Sequence, residues 1–305
     1  MIEILMATYN GERFLAEQID SLLSQTVKDF QILIHDDTSL DRTSEIIQDY
    51  ASRYPLQIRC IVDGVQCGSA VKNFLHLTEY ATAEYVMYCD QDDVWLPDKI
   101  AISLDAMKKA EARLGKDFPI LVFADCTPVD VNLNPQKMTK SMVSRQSLTM
   151  NRLLVQNCVS GCVMMCNRAL YSLLGAYDQA ILMHDWWAAL IAAAMGEIVF
   201  IPKEVMLYRQ HGGNSVGAVD TRSFHYRLQM LTDEETRKKK DLYFRQAALL
   251  QKRFADRLAP DAAAVLENFL KIPEYRGKIH RIFALNGGGY CKSDSVAQIG
   301  FSLFI

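Results

Sequence analysis

The sequence lacks the features that mark several classes of protein. It has eight cysteines in 305 residues, but no Cys-x-x-Cys pair and not the cysteine density of a secreted disulfide scaffold. Cys158, Cys162 and Cys166 lie in an apolar stretch without zinc-site spacing, which favours small buried hydrophobes over metal ligands. No apolar run reaches the roughly 18 residues of a membrane span, and no signal-peptide pattern precedes the first strand pattern. We therefore expect reduced thiols in a cytoplasmic chain that is neither exported nor membrane-spanning.

Net charge is low but unevenly distributed. The formal net charge is −3, yet residues 222–305 hold 15 basic against 9 acidic side chains, and residues 1–221 hold 18 against 27. The acidic body argues against broad nucleic-acid binding. The basic tail, which includes Arg237 and Lys238, predicts either peripheral contact with an anionic membrane surface or a solvated helix face.

The hydrophobic pattern predicts an α/β fold. Half of the residues are hydrophobic, which is enough for a sizeable core in one large domain with an appendage. Short β-type runs alternate with helical patterns through the first part of the chain, and this order predicts a Rossmann-like, mostly parallel sheet flanked by helices. The expected strands are 2–7, 31–35, 57–62, 84–89, 120–124, 158–166 and 198–208, and the expected helices are 12–25, 43–53, 71–80, 97–113, 148–155 and 184–195.

Domain limits follow from the same pattern. We predict a first domain over residues 1–221, with one half at 1–125 and the other at 126–221 where prolines loosen the alternation. Residues 222–305 are predicted to form a helical C-terminal region. Its last part mixes basic and apolar side chains, so it is expected either to lie in a membrane interface or to pack on the body.

Polar segments follow three of the predicted strands. Thr8 and Tyr9 follow the first, Asp37 follows the second, and the sequence Asp-Gln-Asp-Asp at 90–93 follows the fourth. Ligands of open α/β sheets collect beyond the carboxyl ends of the strands, so these segments are expected to converge on one crevice. Closely spaced carboxylates at such a place suit Mg²⁺ or Mn²⁺ on a nucleotide diphosphate, because these cations take oxygen ligands.

Taken by themselves, two of these motifs have ordinary structural explanations. The pair Asp36 and Asp37 is typical of a turn or a helix cap. Asp185, within the sequence His-Asp-Trp-Trp at 184–187, is typical of a helix N-cap followed by two core tryptophans. The alternative for Asp185 is a carboxylate whose pKa the neighbouring indole rings raise by desolvation.

In their order along the chain, the motifs resemble bacterial family 2 glycosyltransferases of the GT-A fold. The motifs are residues 6–11 (MATYNG), 36–43 (DDTSLDRT), 88–95 (YCDQDDVW) and 184–187 (HDWW). With the sequence Tyr-Arg-Gln-His at 208–211, the chain most resembles rhamnosyltransferases of cell-wall, capsular or lipopolysaccharide synthesis. One departure is Thr-Ser-Leu at 38–40, where the family often has Gly-Ser-Thr; it affects a loop. The resemblance covers about residues 1–215.

The resemblance implies a nucleotide site. Tyr9 would stack on a pyrimidine base, and Asp37 would accept the base N3–H that uracil and thymine carry. Thr8 and Asp90 would belong to the same site, with Asp90 on the ribose. For Lys72 the resemblance allows a phosphate or ribose contact, and ordinary helix-start chemistry is the alternative.

The resemblance also implies a metal site. Asp92 would bind Mg²⁺ or Mn²⁺ directly, joined by Asp90 and by His211. Arg209 could neutralise diphosphate charge. The Gly-rich residues 212–215 predict a loop that closes on the donor and excludes water.

For the acceptor side, the resemblance implies that Asp185 is the general base. Trp186, Trp187 and Trp95 would contact the acceptor or the diphosphate, since indole rings offer flat faces to a sugar. An inverting transfer needs a carboxylate on the acceptor side and charge neutralisation on the departing diphosphate.

The expected function is therefore a metal-dependent inverting glycosyltransferase. By resemblance it moves L-rhamnose from dTDP-rhamnose to a saccharide during cell-surface polysaccharide synthesis. The acceptor is expected to be either a free or a lipid-linked saccharide. One alternative is a UDP-hexose donor, and another is a catalytically silent scaffold that binds nucleotide sugars. A nucleotidyltransferase fits less well, because residues 8–13 lack the Gly-rich basic loop that it would need after the first strand.

Overall fold

The computed structural model describes residues 1–136, 148–211 and 234–305. The strands are β1 (Ile2–Thr8), β2 (Phe30–Asp36), β3 (Ile58–Cys60), β4 (Tyr85–Cys89), β5 (Val94–Trp95), β6 (Ile120–Val129), β7 (Met164–Asn167) and β8 (Glu197–Arg209). The helices are α1 (Leu15–Leu23), α2 (Thr43–Arg53), α3 (Ala70–Glu79), α4 (Lys99–Leu114), α5 (Met150–Leu153), α6 (Arg168–Tyr171), α7 (His184–Met195), α8 (Glu234–Phe254), α9 (Pro260–Lys271), α10 (Lys278–Gly287) and α11 (Ser295–Phe304). The boundary predicted at residue 221 and the loop predicted at 212–215 lie outside the described residues.

One eight-stranded sheet organises the fold, in the order β3-β2-β1-β4-β7-β6-β8-β5. β1 pairs in parallel with β2 and β4, and β2 with β3, as the alternation predicts. β7 runs antiparallel to both β4 and β6, and β5 runs antiparallel to β8. The sheet is thus mixed. The sequence pattern does not predict the direction of β7, because an apolar run reads the same in both directions and carries no information on strand direction.

The strand registers bring the polar motifs to one edge of the sheet. Thr8 at the end of β1 lies opposite Asp36 at the end of β2, and Met6 lies opposite Cys89 at the end of β4. The loops that follow these strands therefore leave the sheet side by side. This alignment confirms the expected convergence of the first three polar segments.

β8 brings a distant part of the chain to the same place. It runs parallel to β6, with register shifts between Ala124 and Thr127, and its far end pairs with the short strand β5. Since β5 directly follows the acidic loop, the end of β8 lies next to that loop. Residues 209–211 thereby reach Asp92 and Asp93.

The helix α7 is buried nearly all round, as its composition predicts. Ten of its twelve residues are buried, because one side faces the sheet and the other faces the C-terminal helices. Trp187 on α7 lies 6.3 Å from the Phe254 ring at the end of α8, measured between ring centroids. Arg253 donates to the carbonyl oxygens of Leu174 and Ala176. These contacts pack the C-terminal helices against the body.

Two local predictions are settled by the structure. The strand expected at 158–166 is wrong in its first half, where Gly161–Val163 form a 3₁₀ turn before β7 begins. Cys162 and Cys166 are buried, as expected of small hydrophobes, whereas Cys158 is half-buried. Within the described ranges, no helix combines the length and hydropathy needed to cross a bilayer.

Candidate active site

A cleft of about 860 Å³ opens at the carboxyl ends of β1, β2 and β4. Its walls are the loop before α3, the segment before the 3₁₀ turn, and the first turn of α7. Seven of the sequence-predicted site residues line it: Thr8, Tyr9, Asp37, Asp90, Asp92, Asp185 and Trp186. Carboxylates from three distant chain segments therefore share one solvent-connected space, which is the size of a nucleotide-sugar pocket.

The pair Asp36 and Asp37 divides into one structural and one cleft-facing carboxylate. Asp36 accepts hydrogen bonds from the hydroxyls of Thr8 (2.8 Å) and Ser39 (2.5 Å), so it holds the turn after β2. Asp37 lines the cleft and accepts the backbone N–H groups of Cys67 (2.6 Å) and Gly68 (2.8 Å), one on each oxygen. Each Asp37 oxygen keeps a further lone pair for a ligand.

The first loop presents Tyr9 to solvent and is held by Gln91. The Tyr9 side chain is 53% exposed, while its backbone N–H and C=O both hydrogen-bond the Gln91 amide at 2.9 Å. A Cβ on Gly11 would lie 2.3 Å from Gln91 Oε1, so glycine lets the two loops approach. Thr8 lines the cleft but is 1% exposed, and its hydroxyl is directed to Asp36.

The acidic loop carries the candidate metal ligands. Asp90 and Asp92 line the cleft, and His211 Nε2 lies 2.7 Å from Asp92 Oδ2. Burial, followed by the charges of Asp92 and Asp185, raises the pKa of Asp90 to about 7. Burial disfavours the charged form of Asp90, and a bound cation would favour it. Asp90 and Asp92 offer the oxygen ligands that Mg²⁺ and Mn²⁺ take.

Asp93 belongs to the interior and not to the cleft. It is fully buried, and its Oδ1 accepts the backbone N–H of Arg209 at 2.9 Å. Its Oδ2 has no hydrogen-bond partner among the described residues. Burial raises its pKa well above the ordinary value, so Asp93 is a structural acid of the acidic loop.

Asp185 lies at the opposite wall of the cleft. It is the second residue of α7, whose N-cap is Met183, and it is 8% exposed. Its oxygens accept hydrogen bonds from Asn157 Nδ2 (3.0 Å) and from the backbone N–H groups of Gly161 (2.9 Å) and Trp186 (2.6 Å). Burial outweighs these bonds and raises the pKa of Asp185 to about 6. A carboxylate with that pKa is ionised at neutral pH and is suited to a general base.

His184 is a neutral, buried neighbour of this carboxylate. Its ring lies 4.2 Å from Phe74 and 4.9 Å from Tyr88, measured between centroids, and burial lowers its pKa to about 3. A Cβ on Gly161 would lie 2.6 Å from His184 Nε2. Gly161 therefore lets the 3₁₀ turn approach His184 closely enough to bond Asp185.

The two tryptophans of α7 have different environments. Trp186 lines the cleft, and its indole N–H donates to the Leu153 carbonyl oxygen at 2.5 Å. Trp187 is fully buried and donates to the Leu174 carbonyl oxygen at 3.0 Å. The expected acceptor contact of Trp187 is therefore wrong. Successive helix residues are about 100° apart, so only one of the two rings can face the cleft.

Two further predictions are corrected by the structure. Arg209 is 2% exposed. Its guanidinium donates to the carbonyl oxygens of Asp92 (2.8 Å) and Val131 (2.6 Å) and to the Glu17 carboxylate. Arg209 therefore stabilises the acidic loop from inside the protein and does not face a phosphate in the cleft. Trp95 is 2% exposed, buried under the Lys99 ammonium at 3.4 Å from the ring centroid.

Lys72 is not among the residues that line the cleft, and its predicted phosphate or ribose contact stays a prediction. It is exposed, and its Nζ lies 5.3 Å from the Tyr177 ring centroid, while the next residue on α3, Asn73, lines the cleft. The alternative of an ordinary residue in the first helical turn fits this position.

Several cleft residues are missed by the sequence reasoning. Asn157 and Gly161 donate hydrogen bonds to Asp185, and Cys67 and Gly68 donate to Asp37. Gly161 lies within the predicted strand 158–166 and Asn157 directly precedes it, so neither is considered as a site residue. Tyr208 also lines the cleft. A signal was present in the glycines, since a glycine inside a strand pattern indicates close backbone approach.

The fold and the cleft together define a glycosyltransferase of the GT-A class, and comparison with known proteins gives the family. Residues 3–174 match the model for glycosyl transferase family 2. The chain belongs to this family.

Individual relatives agree with that assignment. The chain is 30% identical over 248 residues to the dTDP-rhamnosyl transferase RfbG of Shigella flexneri. The aligned residues are 76% of this chain and 81% of that protein. The structure resembles S. aureus TarS 1-349 in complex with UDP-GlcNAc (TM-score 0.54, 17% identity, 99% and 90% of the two chains). It also resembles the mannosyltransferase PcManGT of Pyrobaculum calidifontis in complex with GDP-Man and Mn²⁺ (TM-score 0.52, 17% identity, 94% and 72%). At these identities the two structures show a shared fold alone.

Proposed function

We propose that this protein is a metal-dependent inverting glycosyltransferase that moves L-rhamnose from dTDP-rhamnose to a saccharide acceptor. The observation that carries the proposal is the position of Asp185, which lines the same cleft as Asp90 and Asp92 from a distant segment. An in-line displacement at the anomeric carbon needs both groups, one for the incoming hydroxyl and one for the departing diphosphate.

The acidic side of the cleft supports the metal requirement. Asp90, Asp92 and His211 would hold the Mg²⁺ or Mn²⁺, and the bound cation would neutralise charge on the departing diphosphate. The similar fold of PcManGT was solved with Mn²⁺. Asp185 takes the proton of the acceptor hydroxyl, and its three hydrogen-bond donors keep one carboxylate orientation throughout.

The nucleotide end of the cleft supports a donor with uracil or thymine. Asp37 keeps a lone pair on each oxygen, and a ring N3–H would complete its hydrogen bonding. Tyr9 offers an exposed aromatic face at the same end. Thymine and uracil share the N3–H, so the choice of dTDP-rhamnose is supported by the relation to RfbG, and a UDP-hexose is the second candidate donor.

The proposal is tested with purified protein, a panel of dTDP- and UDP-sugars, Mn²⁺ and saccharide acceptors, following nucleotide release. We expect turnover with dTDP-rhamnose that a chelator abolishes, and that falls by about 10²–10⁴ in Asp185→Asn. The exposed Asp117→Asn serves as the matched control with wild-type turnover. Activity that persists in chelator or in Asp185→Asn contradicts the mechanism. Donor binding without release for any acceptor would instead support the silent scaffold.

We further propose a peripheral position on the inner face of the cell membrane, with a lipid-linked acceptor. Ile279 and Phe283 lie one helical turn apart on α10 and are 68% and 72% exposed, with the exposed cations Arg276 and Lys278 beside them. An apolar stripe with flanking cations suits an anionic interface. Flotation with anionic vesicles should recover the wild type but not a variant with Ile279→Ser and Phe283→Ser. Equal recovery of both would contradict this position.

A further inference from the structure

A second cluster of potential metal ligands lies outside the cleft lining. It joins His35 on β2, Asp63 in the loop after β3, and His76 on α3. His35 Nε2 lies 3.6 Å from Asp63 Oδ1, and His76 Nε2 lies 2.6 Å from Asp63 Oδ2. The three potential ligand atoms all lie within 4.8 Å of one another. Three chain segments therefore direct nitrogen and oxygen atoms to one point.

The hydrogen bonding of His35 determines which ring nitrogen carries the proton. Asn73 Nδ2 donates to the His35 carbonyl oxygen at 3.3 Å, which assigns its amide oxygen to His35 Nδ1 at 2.8 Å. That oxygen can only accept, so Nδ1 carries the proton. His35 Nε2 is therefore the ring nitrogen left to face the Asp63 carboxylate, with 2% of the residue exposed. A cation placed between the two groups would bind both.

The Asp63 carboxylate is oriented by two further donors. The backbone N–H of Val65 donates to Oδ1 at 2.9 Å, and the Tyr80 hydroxyl donates to Oδ2 at 2.7 Å. Histidines and carboxylates in metal sites are held by such outer hydrogen bonds, here from Val65, Tyr80 and Asn73. The cluster thus has both ligands and the groups that orient them.

We propose that His35, Asp63 and His76 form a zinc site separate from the catalytic metal. Two imidazoles and one carboxylate suit Zn²⁺, whereas Mg²⁺ prefers oxygen ligands. Tetrahedral zinc with bonds of about 2.0–2.1 Å places its ligand atoms about 3.3 Å apart. The His35–Asp63 distance of 3.6 Å is close to this value, whereas His76 Nε2 and Asp63 Oδ2 are hydrogen-bonded at 2.6 Å and would separate when zinc binds. Asp63 and His76 are 20% and 18% exposed, which leaves the fourth position to water.

The site has a consequence for donor binding. The loop that begins at Asp63 continues to Cys67 and Gly68, whose N–H groups donate to Asp37. Zinc would join this loop to β2 and α3. It would thereby hold in place the backbone N–H groups that donate hydrogen bonds to Asp37. The metal would be structural, and its effect would be measured in nucleotide affinity as well as in zinc content.

The test is a zinc titration of the full chain, freed of any affinity tag and treated with a chelating resin. Zn²⁺ is titrated against a chromophoric chelator in reductant and saturating Mg²⁺. We expect one tightly bound Zn²⁺ per chain. His76→Ala and Asp63→Asn should each lower the zinc affinity by at least about 100-fold. Asn73→Ala should weaken zinc binding by about 10- to 100-fold, because it orients a ligand. His280→Ala, an exposed histidine on α10, is the control that keeps zinc.

Three results would overturn the proposal: no zinc held against the chelator, zinc retained in His76→Ala, or zinc lost in Asp92→Asn instead. X-ray absorption on the zinc-loaded wild type should show two imidazoles and oxygen. Sulfur ligands would assign the zinc to the cysteines and overturn the site, even if a ligand variant failed to fold. None of these readouts depends on transferase activity, so they are independent of the proposed function.

Discussion

His211 Nε2 and Asp92 Oδ2 lie 2.7 Å apart, which joins the end of β8 to the acidic loop after β4. The two residues are 119 positions apart in sequence, and the pairing of β5 with β8 brings them together. A carboxylate and an imidazole at this distance can close on one cation, each through a single atom. This pair is the part of the candidate metal site that is most readily tested.

His211→Ala should weaken metal activation. With one ligand removed, we expect the Mn²⁺ concentration for half-maximal activity to rise at least about tenfold. The measurement is the transfer rate as a function of Mn²⁺, with His280→Ala as the control. An unchanged Mn²⁺ dependence would show that His211 only supports the Asp92 loop.

Transfer should depend on the ionisation of Asp185. Burial raises its pKa from 3.8 to about 6, and a general base acts as the carboxylate, so the rate should fall as pH drops through about 6. Below that pH we expect about a tenfold loss per unit. Initial rates from pH 4.5 to 8.5 test this, and a rate that stays constant down to pH 4.5 would contradict the assignment.

Asn157→Ala, in the same assay, should move the fall in transfer rate to higher pH. The Asn157 amide donates to the carboxylate and stabilises its charged form, so its removal raises the pKa of Asp185 further. Asn286→Ala, on exposed α10, should leave the profile unchanged. An identical profile in Asn157→Ala would show that this bond does not tune the base.

Gly161→Ala should damage both fold and activity. The new Cβ would lie 2.6 Å from His184 Nε2 and 3.4 Å from Asp185 Cβ, which forces two buried side chains to move. We expect a loss of about 1–3 kcal/mol in unfolding free energy, together with a lower turnover. Urea denaturation and initial rates measure the two effects. Gly287→Ala is the matched control, since no atom lies within 4 Å of its Cβ. Equal behaviour of the two variants would refute the close approach.

Asp37→Asn should weaken selection of the base. The amide group cannot accept both backbone N–H groups and a ring N3–H, so dTDP affinity should fall at least about tenfold. Calorimetry with dTDP and dCDP measures this, because cytosine carries a lone pair at N3 and should bind the wild type poorly. Asp49→Asn, on exposed α2, is the control. An undiminished preference for dTDP would place the base elsewhere.

Arg209→Lys should destabilise the protein, although it conserves charge. The guanidinium bonds two carbonyl oxygens and Glu17, and an ammonium cannot reach all three, so we expect a loss of about 1–3 kcal/mol. Arg113→Lys, at an exposed pair with Glu197, should leave stability unchanged. Denaturant unfolding compares the two. If Arg209→Lys instead raised the donor KM without loss of stability, the original phosphate assignment would stand.

The sequence predicted much of the site because its signals were local. The helices 43–53 and 184–195 were predicted with the observed bounds, since periodicity is a property of a single element. Asp90 and Asp92 stand out as candidates from their place at a strand end, whereas Asp37 and Asp185 are candidates through the resemblance to the glycosyltransferase family. Strand ends of a parallel pair share one edge, so convergence of the first segments followed without coordinates.

By itself, then, the sequence determined the α/β class, the carboxylates that converge on the cleft, and the bounds of α2 and α7. Only the tertiary structure decided the reversed direction of β7, the choice of Trp186 over Trp187, and the interior position of Arg209. The reason is that periodicity is set by neighbours in the chain, whereas the direction of a polar side chain is set by its hydrogen-bond partners. For Arg209 those partners include Glu17, 192 residues away.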